Sequence, residues 1–160
     1  MLNPITDLRH IEQWPVKIGP NVTLVDSDNK PNDIFIMQGE WVRVNGDDEI
    51  TRITADLDTP DAFPVWTNTK RHDSPFVDRL TILRGYHFTA TTDRYLKTAN
   101  IVTGSPLMVT GDDRTAAQGG EGGWLTLATA GKLIRAIALK VDSTNNILTF
   151  RFQDGWTKQS

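Results

Sequence analysis

Apolar and polar positions along this chain alternate in short runs. From residue 34 onward, β-branched and aromatic residues gather in brief stretches divided by Asn, Asp, Gly and Pro, which is the pattern of strands joined by turns. Trp41-Val42-Arg43-Val44 and Glu49-Ile50-Thr51-Arg52-Ile53 flank Asn45-Gly46, a dipeptide favoured in two-residue type I′ turns because both of its residues accept positive φ. A hairpin is expected there. Leu80 to Arg84 leads through Gly85 into His87 to Thr92, whose threonine-rich alternation suits a strand with one wet face. These two runs are candidates to pair. Leu107 and Val109 alternate with Met108 and Thr110 ahead of Gly111-Asp112-Asp113, and a glycine-rich stretch ending at Gly123 precedes Trp124 to Ala128. Ile137 to Val141 and Leu148 to Phe152 flank the polar segment Asp142 to Asn146 and form the clearest hairpin. Its alternation places Leu139 and Val141 on one face, and Leu148, Phe150 and Phe152 opposite Thr149 and Arg151.

The fold class expected from these runs is all-β, a small β-barrel or β-sandwich of seven to eight short strands. Alternating βαβ units are excluded by the lack of amphipathic helical segments. No internal repeat of fixed period is present.

The N-terminal stretch reads differently. Pro4, Pro15, Pro20 and Pro31, four of the eight prolines, fall within it, and each fixes its own φ while biasing its predecessor toward extended backbone. The segment also carries Ile5, Leu8, Ile11, Trp14, Val16 and Ile18, too apolar a set for a free disordered tail. It is therefore read as an extended docking arm over residues 1–36, followed by a β-rich core domain over residues 37–160, with those six side chains as protein contacts. Deleting residues 1–18 is then expected to leave a folded core. The helical spacing of Ile5, Leu8 and Ile11, with Thr6 or Asp7 as an N-cap, also allows a short helical turn over residues 7–13.

Composition narrows the function. With 160 residues and 38% apolar residues, below the roughly 45–50% usual for globular domains, the core is modest, and docking or oligomerisation is one source of further stability. Cysteine is absent, which excludes disulfides, thiolate metal sites and thiol nucleophiles. Seventeen basic and twenty acidic residues, with the basic ones scattered singly, disfavour binding to nucleic acid. No apolar run approaches a membrane span, and Met1-Leu2-Asn3-Pro4 does not read as a secretory leader.

Candidate chemistry is sparse. His10, His72 and His87 stand singly, without metal-ligand spacing. Asp26-Ser27-Asp28-Asn29-Lys30 begins like a calcium loop but has Lys30 in a ligand position and lacks the turn glycine and closing Glu. Ala128-Thr129-Ala130-Gly131-Lys132 is similar to the end of a phosphate-binding loop, yet Leu133 replaces the magnesium-binding hydroxyl. Asp47-Asp48 and Asp112-Asp113 sit at turns, where Asp bonds to the backbone. No serine lies in a nucleophile elbow. The expectation is a protein that is not an enzyme and needs no cofactor or metal. Of the five tryptophans, Trp41 and Trp124 are expected in the core and Trp14 at an interface. Trp156 is left even, and carbohydrate stacking on exposed tryptophans remains open.

The order of segments resembles that of decoration (cement) proteins on tailed-bacteriophage heads. The residues that carry the resemblance are Gly39-Glu40-Trp41-Val42, Ala62-Phe63-Pro64-Val65-Trp66, Leu80 to Gly85 running into Thr91-Thr92-Asp93-Arg94-Tyr95, and Thr103-Gly104-Ser105-Pro106-Leu107-Met108-Val109. Trp124 to Lys132 and Ile134 to Ala138 then lead a strand back into the barrel. The resemblance implies a small β protein on the outer surface of the virion head, made in the host cytoplasm. There it would bind the major capsid protein, often as a trimer, and bridge neighbouring subunits, without nucleic-acid or membrane contact and without catalytic residues. The long Pro-interrupted N-terminal segment departs from the family. Two alternatives stay open: another virion component such as a tail or fibre protein, and a small carbohydrate-binding or glycan-hydrolysing β-barrel.

Overall fold

A computed structural model describes residues 1–7, 9, 11–18, 39–46, 48–53, 62–67, 79–85, 87–97, 99–111, 123–153 and 157–160. Among them are eleven strands: β1 (Leu2–Pro4), β2 (Glu12–Ile18), β3 (Trp41–Val44), β4 (Glu49–Arg52), β5 (Ala62–Thr67), β6 (Arg79–Arg84), β7 (Thr89–Thr92), β8 (Pro106–Thr110), β9 (Trp124–Leu127), β10 (Ala136–Asp142) and β11 (Ile147–Phe152). The protein is all-β, with a six-stranded sheet in the order β1-β7-β11-β10-β8-β9 and a five-stranded closed barrel in the order β2-β4-β3-β5-β6. Each of the eight expected runs overlaps one of these strands; β1, β2 and β5 are additional.

Residues 1–18, expected as part of an arm, are paired into both sheets. Leu2, Asn3 and Pro4 lie opposite Thr92, Thr91 and Ala90 in β7. β2 runs antiparallel to β6 from Glu12↔Arg84 to Lys17↔Arg79, and parallel to β4 through Lys17 and Ile18. The helical turn expected over residues 7–13 gives way at Glu12 and Gln13, which belong to β2. Pro15 is tolerated inside this strand for a geometric reason. The Lys17 N–H donates to Asp48 O at 2.9 Å, so its peptide nitrogen points toward β4. Two residues earlier the Pro15 nitrogen points the same way, away from β6, and its missing donor breaks no bond of the β2–β6 ladder. Residues 19–36 lie outside the described residues.

Three turns or pairings differ from expectation. The β3–β4 connection is not a two-residue type I′ turn. Asp48 takes the left-handed conformation (φ 58°), Asp48 N–H donates to Asn45 O at 3.3 Å and Asn45 N–H to Glu49 O at 2.9 Å. This is a longer loop in which a left-handed residue after the turn restores the ladder. β6 and β7 do not pair, because the chain turns out of the barrel between them, with His87 at φ 59°. In the β10–β11 hairpin the register shifts between Ala138↔Phe150 and Lys140↔Thr149, so Leu139 is an extra residue. Such a bulge reverses the alternation beyond it. Ala136 and Ala138 are buried before it, Val141 packs on the core after it, and Leu139 turns outward.

One apolar cluster joins the two sheets. Trp41 from the barrel stacks on Phe152 from the sheet with ring centroids 5.9 Å apart, Phe63 lies 6.2 Å from Phe152, and Phe88 stacks on Phe152 at 4.9 Å. Each such pair adds about 0.5–1.5 kcal/mol to the burial of its rings. Arg135, buried at 1% exposure, is held in the same joint. Its guanidinium lies over Phe152 (5.0 Å) and Phe63 (5.6 Å), and its Nη2 donates to Ala62 O at 2.9 Å. Gly123 closes the joint by close approach: its carbonyl accepts from Trp41 N–H at 2.8 Å, and a Cβ there would lie 2.3 Å from Trp41 O.

The outer edge of β9 is covered by the segment just past β7. Leu96 N–H donates to Leu125 O at 2.8 Å, and Leu125 N–H donates to Arg94 O at 3.2 Å. Covering that edge removes a row of free backbone groups that would otherwise template pairing with another chain.

Candidate interaction surface

Among the described residues four large apolar side chains are exposed: Met1, Ile5, Val102 and Leu139. Two of them sit on neighbouring, tightly bonded backbone. Ser105 N–H donates to Val102 O at 3.0 Å across a four-residue turn, and Gly104 occupies its third position with φ 88°, which a type II turn requires. Val102 N–H is in turn bonded to Ser105 Oγ at 3.0 Å. The turn is fastened to β10 by Gly104 N–H to Ala138 O (2.7 Å), Ala138 N–H to Ser105 O (2.9 Å) and Thr103 Oγ1 to Leu139 O (3.3 Å). Val102 (61% exposed) and the bulge residue Leu139 (37%) are thereby presented on backbone with little freedom left to lose, which lowers the entropic cost of binding through them.

The six contacts expected from the sequence separate in the structure. Ile5, 60% exposed, follows β1 on backbone fixed by Ile5 N–H to Thr89 O at 2.8 Å and Thr89 N–H to Thr6 Oγ1 at 2.8 Å. Ile11 and Val16 are buried in the chain's own core. Trp14 is half-buried, edge-on to Phe63 at 6.3 Å. The Arg84 guanidinium covers its ring at 4.7 Å and is itself paired with Glu12 at 3.0 Å. Leu8 lies outside the described residues, and of Ile18 only the backbone pairing with Ile50 is described.

The remaining chemical candidates have structural roles where they are described. His87 is exposed, with Nδ1 3.3 Å from Phe152 O. The Gly131 and Lys132 N–H groups of the segment similar to a phosphate-binding loop are engaged by Gln159 O (2.9 Å) and Thr129 O (3.0 Å). Asn145 donates to Asp142 from its side chain (2.9 Å) and its backbone (3.0 Å), and these bonds hold the Asp142 carboxyl below the usual range. Burial, with the nearby Asp142 charge, pushes the Tyr95 phenol up. Among the described residues no group of three or more His, Cys, Asp or Glu side chains converges to hold a metal ion. His10, His72, Trp156, the calcium-like loop at 26–30, Asp47, Asp112 and Asp113 lie outside the described residues. Trp41 is in the core, while Trp124 is half-buried with the Arg94 guanidinium 5.7 Å from its ring.

Compared with known protein families, curated proteins and solved structures, the chain matches none.

Sequence reasoning missed Val102, Leu139 and Arg135. The Thr103-Gly104 pair signals the turn that presents Val102. Nothing in the alternation of 137–141 signals a bulge. Arg135 stands inside the apolar run Leu133 to Ala138, but Arg151 stands in a similar run and is exposed, so the run alone does not signal a buried guanidinium.

Proposed function

We propose that this chain is a head-decoration protein of a tailed bacteriophage, binding the outer surface of the assembled head and bridging major capsid protein subunits as a homo-oligomer, a trimer in the favoured arrangement. The observation that carries this reading is the pair Val102 and Leu139, exposed apolar side chains held on rigid, adjoining backbone of an all-β body whose segment order resembles that family. Ile5 supplies a further exposed contact. Contacts of this size are individually weak. They become strong when several copies engage a lattice of fixed spacing, since each later contact forms at high effective concentration.

The test mixes purified chain with empty phage heads and images the heads by cryo-electron microscopy. Regular extra density on the outer lattice is expected, and it should be lost with the Val102→Asp, Leu139→Asp double variant. Surface changes of this kind alter folding stability by only about 0.5 kcal/mol, so a variant that keeps its melting temperature but fails to decorate identifies the surface. Heads that stay bare with the parent chain would reject the reading. A glycan-array signal abolished by Trp66→Ala would then move the assignment to carbohydrate binding.

A further inference from the structure

We propose that Asn45-Gly46 is a site of spontaneous covalent modification, in which the Asn45 side-chain amide is lost through a cyclic imide, and that the product loosens the seam where β2 closes the barrel. The chemistry needs no partner beyond water. The Gly46 backbone nitrogen attacks Cγ of Asn45; the N–Cγ bond forms as the Cγ–Nδ2 bond breaks, and the Gly46 proton passes through solvent to the leaving nitrogen, which departs as ammonia. One water then opens the ring at either carbonyl. The result is an aspartyl or an isoaspartyl linkage at position 45, and no oxidation or reduction is involved.

Three features of the turn favour this reaction. Gly46 is exposed, carries no side chain, and has no atom within 4 Å of where a Cβ would stand, so nothing on that side of the residue screens its backbone from solvent. The Asn45 Oδ1 accepts the Glu49 N–H at 3.1 Å. That is a fixed donor on the very oxygen that gains negative charge when the amide carbon is attacked, and such preorganised donors stabilise the tetrahedral state. Finally, Asn45 is exposed, and the bonds from Asn45 N–H to Glu49 O (2.9 Å) and from Asp48 N–H to Asn45 O (3.3 Å) hold the loop in this arrangement.

The consequence falls on the barrel's closure. Asn45 Nδ2 faces Glu49 Oε2 at 3.5 Å. Replacing that amide by a carboxylate removes a donor and sets two like charges against each other, beside Asp47 and Asp48 in the same stretch. The isoaspartyl form also inserts a methylene into the main chain between β3 and β4, which pulls on a register that tolerates no slip. Asp48 and Glu49, two and three residues past Gly46, are where β2 meets β4, through Lys17 N–H to Asp48 O at 2.9 Å and the pair Lys17↔Glu49. Strain in the loop therefore reaches the parallel seam directly.

The experiment incubates the folded chain in mildly alkaline buffer at physiological temperature and follows tryptic peptides by mass spectrometry. Cleavage after Arg43 and Arg52 isolates Asn45 in peptide 44–52, while peptide 141–151 carries Asn145 and Asn146 as internal references. Conversion of amide to acid is expected several-fold faster at Asn45 than at the reference asparagines, and at least as fast in the folded chain as in urea-unfolded chain. Gly46→Ala is expected to slow it several-fold without disturbing the hairpin, since the added methyl meets no atom. In the aged chain, and in Asn45→Asp, backbone amide exchange over residues 11–18 and 49–52 is expected to rise several-fold relative to residues 147–152. Conversion at Asn45 no faster than at Asn145 or Asn146, or slower folded than unfolded, would overturn the site. Unchanged exchange across the seam in the aged chain would overturn its link to barrel closure.

Discussion

The six-stranded sheet and the five-stranded barrel meet in one core but use the N-terminal segment differently. In the sheet, β1 only lines the outer side of β7, from Leu2↔Thr92 to Pro4↔Ala90, and the remaining strands, from the β10–β11 hairpin to the long-range β7–β11 pair, are bonded to one another without it. The barrel depends on β2, which reaches across more than sixty residues to β6, from Glu12↔Arg84 to Lys17↔Arg79. Its parallel contact with β4 spans only Lys17↔Glu49 and Ile18↔Ile50. Closing such long loops costs chain entropy before any pairing is gained. The N-terminal segment thus only edges the sheet, whereas it holds the barrel shut.

The largest effect that would break this comparison comes from deleting residues 1–18. The deletion removes β1 from the sheet edge and β2 from the barrel, together with the buried Leu2, Ile11 and Val16. Loss of the cooperative thermal transition is expected by circular dichroism. A truncated chain that melts like the parent would restore the reading of this stretch as a separable arm. A smaller effect is expected at the joint between the halves. Gly123→Ala forces a methyl against the Trp41 carbonyl, and overpacking of this kind costs about 1–3 kcal/mol. Urea denaturation measures it, and a single transition in the variant would show that both halves still unfold together.

The smallest effect is expected on the sheet side, at the β10–β11 turn. The Asp142 carboxyl is held below 3.8 by its bonds from Asn145. Because its folded-state value is depressed, its contribution to stability is present above the unfolded value and lost as pH falls through the folded one. Asp142→Asn is expected to lower the melting temperature slightly near neutral pH, with the gap from the parent closing in acid below 3.8. A gap that persists in strong acid would show that the turn is held by something other than the carboxylate.

Particular residues show why one half was more legible than the other. Leu148, Phe150 and Phe152 alternate cleanly and are fully buried, because one face of their strand meets the core and the other meets water. In β2 the buried residue Val16 and the half-buried Trp14 also alternate with exposed Gln13, Pro15 and Lys17, yet the prolines around them suggested an arm. A proline forbids a donor without revealing on which side of the strand that donor would fall. The candidate surface was legible only in part, since Ile5 is exposed while Ile11 and Val16 are buried inside the chain.

The all-β class, the eight core strand runs and the Phe-rich face of β11 were readable from residue order alone, because alternation and turn residues act over a few neighbours. Only the tertiary structure decided that β2 closes a barrel, that Arg135 lies between rings from two sheets, that the bulge turns Leu139 outward beside Val102, and that Asp48, not Asn45-Gly46, takes the left-handed position. Those outcomes depend on which distant segments pack together, and a pattern with a period of two residues carries no record of its distant partner.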